Sequence, residues 1–228
     1  MVFARIASLD EGLSARPYSC EWHDDGVNTS VKRTRKAVAE ARTPLTPETW
    51  IGAATEVLVD QGIAHVRVDV LATQLAVTRG SFYWHFRDRE DLLRRVLQAW
   101  REAATENLTA RLEQAHADPR AQLRDVLSLP FRGRAATRAA RIELAIRAWA
   151  RRDGTARHAV DEADAARLGY IAQVFSALGF GILEARSRAF LAYTYLLGEA
   201  LLATQGSAAQ KAERVRFVEQ LMLRPLSG

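Results

Sequence analysis

The chain has 228 residues, 48% of them hydrophobic and 26% charged, with a formal charge of +5 and one cysteine. This length allows a small domain and a larger one; no apolar run can cross a bilayer, and the first residues, interrupted by Asp10 and Glu11, carry no leader pattern, so a cytoplasmic protein without membrane contact is expected. Cys20 alone excludes an intramolecular disulfide and a cysteine-based zinc site, and His65, His116 and His158 lack metal-ligand spacing, so neither metal nor cofactor is expected.

Residues 1–45 read as a flexible basic N-terminal extension, and Val27 or Val31 are alternative start points for the native chain. Within it the run Lys32-Arg33-Thr34-Arg35-Lys36 fits either an arm lying on a polyphosphate backbone or a solvated tail. Thr46-Pro47-Glu48 then predicts a helix start: a cap, a proline at the first helical position and an acid in the positive first turn. Trp50, Ala54, Val57 and Leu58 follow at helical spacing, and Gly62 lies just past the end.

The next apolar series, Val68, Leu71, Leu75 and Val77 around small Ala72, predicts a second short helix. A third begins at Thr78, whose hydroxyl as N-cap would accept the amide of Gly80 or Ser81. Phe82 and Phe86, four apart, give it a buried side and leave Arg79, Gly80, Ser81, Tyr83 and Trp84 pointing outward. Two short helices crossing closely need a small residue on the first, a tight turn four residues later and an apolar anchor on the second; Ala72, Ala76 and Phe82 stand in those places. The outward face, with Gly80 permitting close backbone approach, suits a groove of DNA. The same residues also fit a short amphipathic helix whose aromatics are simply core.

The ordered string LA-x-x-LAVTRGSFYWHFRDREDLL, from Leu71 to Leu93, adds to that reading. Over Thr46 to about Leu97 the chain resembles the DNA-binding domain of the TetR family of bacterial transcription regulators. The resemblance implies that Arg79, Gly80 and Trp84 face bases in the major groove, and that Ser81, Tyr83, His85 and Arg89 contact phosphates. Thr46, Arg67 and Thr78 are the remaining DNA-facing candidates. Base contacts specify and phosphate contacts position, and these residue types fit both tasks. Two departures stand out. Ala76 occupies a turn where the family carries glycine, at a cost of about 1 kcal/mol. Asp69 would repel phosphate unless it reaches a cytosine amino group or pairs with Arg67.

From Asp88 the pattern is helical throughout: about Asp88 to His116, Arg120 to Leu129, Thr137 to Arg152, Thr155 to Leu178, Ile182 to Gln205 and Ala208 to Leu223. An all-α protein is expected; the region resembles the second domain of the same family, which implies a three-helix reading head at 46–97 joined by a long helix to an effector-binding and dimerising domain at 98–228. In the penultimate helix Ala185, Ala189, Ala192, Leu196 and Ala200 form a small-residue stripe, and the last adds Val215, Val218, Leu221 and Met222. These stripes fit a homodimer surface over Ile182 to Leu223, holding two heads about 34 Å apart, or the core of one monomer. Trp100, Phe131, Trp149, Tyr170, Phe175 and Tyr193 are the candidate effector contacts, although each also fits ordinary core. Between Arg120 and Arg157 ten arginines face only Asp125, Glu143 and Asp153, either to attract an anionic effector or as a solvated surface. By contrast, residues 46–97 carry six arginines against seven acids, so affinity for DNA must come from placement.

The expected function is that of a one-component regulator: a homodimeric repressor on a palindromic double-stranded operator, released by a small-molecule effector. A helical protein-interaction adaptor without sequence-selective DNA binding is the alternative. An enzyme is not expected, because Ser81, His85 and Asp88 lie on one short stretch without a glycine elbow or oxyanion loop.

Overall fold

Pro47, whose missing amide needs no partner there, and Glu48 in the first turn begin α1 (Pro47–Gln61) of the computed structural model, which describes residues 45–106, 109–110, 114 and 117–225. The expectations for residues 1–44, including Cys20 and the Lys32 to Lys36 run, lie outside the described residues, as does the His116 end of the connecting helix. All regular structure among the described residues is helical. After α1 come α2 (Val68–Gln74), α3 (Arg79–Tyr83), α4 (Arg89–Arg101), α5 (Pro119–Ser128), α6 (Gly133–Ala150), α7 (Gly154–Ala177), α8 (Ile182–Leu201) and α9 (Ala208–Leu223).

The connecting helix carries an irregularity within its expected run: α4 is regular to Arg101, a π-helical turn over Glu102–Glu106 follows, and residues 109–110 and 114 are α-helical. Its start is firmly set: Asp88 accepts the Asp91 amide at 2.7 Å, and Asp91 accepts the Arg87 amide at 3.2 Å. That amide, with Arg95 and Arg94 nearby, holds the Asp91 carboxyl below the usual carboxylate range despite its burial. α6 begins earlier than periodicity indicates, at Gly133 with φ +74°, and α8 ends at Leu201 rather than Gln205.

Two apolar clusters organise the chain. The first joins Trp50, Leu71, Phe82 and Phe86 of the head to Leu92, Val96, Ile146, Trp149 and Val160, so α1 to α4 rest on α6 and α7. The second packs Leu123, Leu127, Ile171, Phe175 and Ala189 with Val215 and Met222, between α5, α7, α8 and α9. Ala185, Ala189 and Ala192 are at most 1% exposed and sit within this second cluster. The small-residue stripe is therefore a seam inside the monomer, where short side chains let helices approach closely, and Val215 and Met222 are core as well. Of the expected interface residues on α9, Leu221 is the one left half exposed. Buried Arg188 closes the far end of α9 by donating to the carbonyls of Met222 and Arg224, and its guanidinium lies 4.1 Å from the Phe180 ring centroid.

Candidate nucleic-acid interface

The site rests on the Phe82 side chain. Phe82 is fully buried, edge-on to Trp50 at 5.4 Å and stacked on Phe86 at 5.1 Å, and the Arg95 guanidinium sits 5.0 Å from the Phe86 centroid. With one side of α3 anchored in this way, helical geometry drives the other side into solvent: Tyr83 is 57% and Trp84 87% exposed, and Arg79 and Gly80 are exposed beside them. Burial elsewhere claims nearly every tryptophan ring among the described residues, so an indole left in water on a short rigid helix marks a contact surface.

The approach to α3 is a tight Schellman turn built on an alanine. Ala76 adopts φ +54°, the Val77 amide donates to the Ala72 carbonyl at 2.9 Å, and the Ala76 amide donates to the Thr73 carbonyl at 3.1 Å. The left-handed turn expected at Ala76 is present without its usual glycine. Ala72, 2% exposed, supplies the close crossing.

The remaining site candidates fall into distinct groups. Thr78 is the N-cap in extended conformation, but its hydroxyl accepts no amide; the Ser81 amide goes to the Thr78 carbonyl at 3.1 Å, leaving the hydroxyl available outward. Thr46 likewise caps α1 by its backbone, and its hydroxyl meets that of Thr49 at 3.4 Å. Ser81 and His85 are partly buried at the edges of the exposed face. Arg67 forms a fork with Asp69, Nε to Oδ1 at 3.2 Å and Nη2 to Oδ2 at 2.8 Å, so the acid that would repel phosphate is neutralised by its neighbour.

Arg89 makes contacts that its sequence neighbourhood did not suggest. Its Nε donates to the Val66 carbonyl at 2.6 Å and its Nη2 to the Ile63 carbonyl at 2.8 Å. Both carbonyls belong to the connection between α1 and α2, where that of Ile63 also accepts the Val66 amide at 3.2 Å. Arg89 thus fastens α4 to the entry of α2, with its Nη1 3.9 Å from Glu90.

The six aromatic effector candidates do not converge on one cavity. Trp149 lies in the first cluster; Tyr170 and Phe175 are buried in the second. Phe131 lines an open groove of about 1160 Å³ beside α9. Trp100 and Tyr193 meet around Arg167, whose guanidinium is 5.4 Å and 6.0 Å from their ring centroids. There the structure holds a polar cluster that periodicity did not reveal. Arg147 donates to Glu143 at 2.7 Å, to Asp164 at 2.5 and 3.1 Å and to the Tyr193 hydroxyl at 2.9 Å. Arg167 donates to both Glu143 oxygens at 3.1 Å and to the same hydroxyl at 2.9 Å, and that hydroxyl donates to Asp164 at 2.6 Å. Two cations meet two carboxylates, which is what lets four charges lie between helices. The available sequence signal was the Glu143 and Arg147 pair, four apart on a mostly apolar face.

Residues 51–96 match the family model described as bacterial regulatory proteins, tetR family. Over 63 residues the chain is 43% identical to the uncharacterized HTH-type transcriptional regulator TtgW of Pseudomonas putida, covering 28% of this chain and 46% of that one. The match therefore spans less than half the length of that relative. Among solved structures, a putative TetR-family transcriptional regulator from Rhodococcus sp. aligns with TM-score 0.64 at 17% identity, over 78% of this chain and 98% of that one. A putative transcriptional regulator from Saccharomonospora viridis, solved in complex with choline, aligns with TM-score 0.61 at 19% identity, over 77% and 92% of the two chains. At these identities the structures share a fold with this chain.

Proposed function

We propose that this chain, whose residues 51–96 match the model for bacterial regulatory proteins, tetR family, is a one-component, sequence-specific DNA-binding regulator that represses transcription from a palindromic operator. The observation carrying this reading is the outward face of α3, where Arg79, Gly80 and Tyr83, with Trp84 at its C-cap, stand out from a segment whose back is held by buried Phe82 and Phe86. Arg79 can read guanine in the major groove, Gly80 lets the backbone approach, and the Trp84 ring covers base edges. Tyr83, Ser81, His85, Thr46 and Thr78 offer hydroxyl or imidazole donors to the flanking phosphates.

The dimer forms through the exposed side of α8 and α9. Leu183 is 77% exposed, with Phe190, Leu191 and Leu201 following along the same side of α8, and Phe217 and Leu221 are exposed on α9. This side lies opposite Ala185, Ala189 and Ala192, and an apolar surface of this kind is covered in a stable soluble protein. Two-fold pairing across it presents two copies of α3 to successive major grooves. A small-molecule effector bound by the helices after Leu97 shifts the heads out of register, which requires unequal affinity for the two arrangements. The similar protein from Saccharomonospora viridis was solved with choline, which supports a small-molecule role for this domain.

Selection of binding sites from a random duplex library, with the unmodified chain and with Tyr83→Ala and Trp84→Ala in parallel, tests the reading. Enrichment of a palindrome by the unmodified chain that is lost or degraded in the variants is expected. A folded dimer that enriches nothing would replace this reading with that of a protein-binding adaptor.

A further inference from the structure

The arginine excess between Arg120 and Arg157 is largely consumed by partners. Arg132 pairs with Asp125, Arg147 with Glu143 and Asp164, and Arg157 with Asp161. Two more reach the reading head: Arg138 grips Glu56, and Arg141 donates to Asp60 at 2.7 Å, both acids on α1. Of the remaining arginines, Arg120 and Arg134 stand at the groove of about 1160 Å³ formed by α5, the first turns of α6 and one side of α9, while Arg151 and Arg152 lie outside it.

Pro130, Phe131, Val215 and Leu223 form the apolar part of this groove; Arg120, Arg124, Arg134, Lys211 and Arg216 ring it, with Glu219 as the one acid in the lining. Arg124 takes that acid for itself, with Nε and Nη2 at 3.1 and 3.0 Å from Oε1. Arg120, Arg134 and Arg216 are exposed and have no carboxylate in ion-pair range among the described residues. Unopposed cations around an apolar lining are complementary to a molecule that is anionic at one end and apolar at the other. The groove side of α9, Lys211, Ala212, Arg216 and Gln220, is separate from Phe217 and Leu221 on the dimer side, so both surfaces can be used at once.

We propose that this groove is the effector site of the regulator described above, that it takes a small amphipathic anion, and that α6 reports its occupancy to the reading head. Arg134 and Thr137 line the groove; Arg138 and Arg141, on the next turns of the same helix, hold α1 through Glu56 and Asp60. α1 carries Trp50, against which Phe82 of α3 packs. A ligand that draws the start of α6 toward α9 therefore acts on α1 through two ion pairs, and on α3 through one aromatic contact. The polar cluster around Arg147 and Arg167, by contrast, is already closed on itself.

The test uses the full chain and decanoate as probe, by isothermal titration calorimetry, with decyltrimethylammonium and propionate as comparators. Saturable decanoate binding is expected, with neither comparator binding comparably, and with affinity about tenfold weaker in Arg120→Ser/Arg134→Ser. The double variant Arg151→Ser/Arg152→Ser, which removes equal charge from exposed positions outside the groove, should bind as the unmodified chain does. Equal binding of the cationic amphiphile, absence of saturable decanoate binding, or equal loss in both double variants overturns the proposal. On the selected operator, decanoate should release the unmodified chain, and Arg138→Ala should bind decanoate normally but be released less; unchanged release would overturn the α6 route. The proposal rests on the regulator reading, yet the two fail separately: calorimetry needs no DNA, and operator selection needs no ligand.

Discussion

Replacing Arg89 by alanine separates a structural role from a DNA-contacting one. The side chain makes two charge-assisted hydrogen bonds, to the carbonyls of Val66 and Ile63, and Val66 is 1% exposed; truncation leaves the Val66 carbonyl without its donor, while that of Ile63 keeps the Val66 amide. Such bonds contribute about 1.5 to 3 kcal/mol each, but Arg89 is 33% exposed and water will reach part of the vacated space; about 2 to 3 kcal/mol in total is the expected loss. For a chain of this size that lowers the melting temperature by roughly 4 to 12 °C. Arg89→Lys keeps the charge but lacks the planar fork, and should recover at most about half of the loss. Circular-dichroism melts give the stability term, and operator affinity across a salt series gives the phosphate term. If Arg89→Ala melts with the unmodified chain while the slope of log affinity against log salt becomes shallower by about 0.9, the latch reasoning is refuted and Arg89 is a phosphate contact.

Ala76→Gly should stabilise the chain by up to about 1 kcal/mol, since relief of the left-handed alanine outweighs glycine's greater unfolded-state freedom. In exposed mid-helix Ala166→Gly the same change should destabilise by about 1 kcal/mol, and thermal melts that fail to show opposite signs would count against a strained turn. Phe190→Asp, on the exposed side of α8, should leave helix content intact and convert dimer to monomer in analytical ultracentrifugation; an unchanged sedimentation coefficient would move the interface elsewhere. Burial, with the hydrogen bond it donates to Asp164, pushes the Tyr193 phenol from 10.0 up to about 12. Because the folded value is the higher one, the stability it contributes is complete below pH 10.0 and is lost as pH rises toward about 12. Tyrosinate absorbance should therefore lose a late-titrating component in Tyr193→Phe, and an unchanged titration curve would contradict the burial argument.

The reading head was legible because its determinants are local. Pro47 at the first helical position and Glu48 in the first turn favour a helix start within one turn of sequence, Phe82 and Phe86 four apart define a buried side, and the interval from Ala72 to Ala76 to Phe82 fits the crossing of two short helices. The outward set Arg79, Gly80, Tyr83 and Trp84 then follows by elimination on a helix too short to have other sides. The last helix, expected over about Ala208 to Leu223, forms over Ala208–Leu223, its start closed by the reciprocal Ser207 and Gln210 capping bonds within one turn. What required the tertiary structure was every choice between equivalent faces. The alanine stripe of α8 was equally compatible with a dimer seam and a monomer seam, and only the position of α7 shows that Ala185, Ala189 and Ala192 are already covered. The roles of Arg89, Arg138 and Arg141 depend on partners 23 to 82 residues away, and the pairing of Arg147 and Arg167 with Glu143, Asp164 and Tyr193 joins three helices. A long charged side chain has no preferred partner in its own sequence neighbourhood, so packing of the helices alone decides whether it latches the fold, closes a buried network or stands unpaired at the rim of a groove.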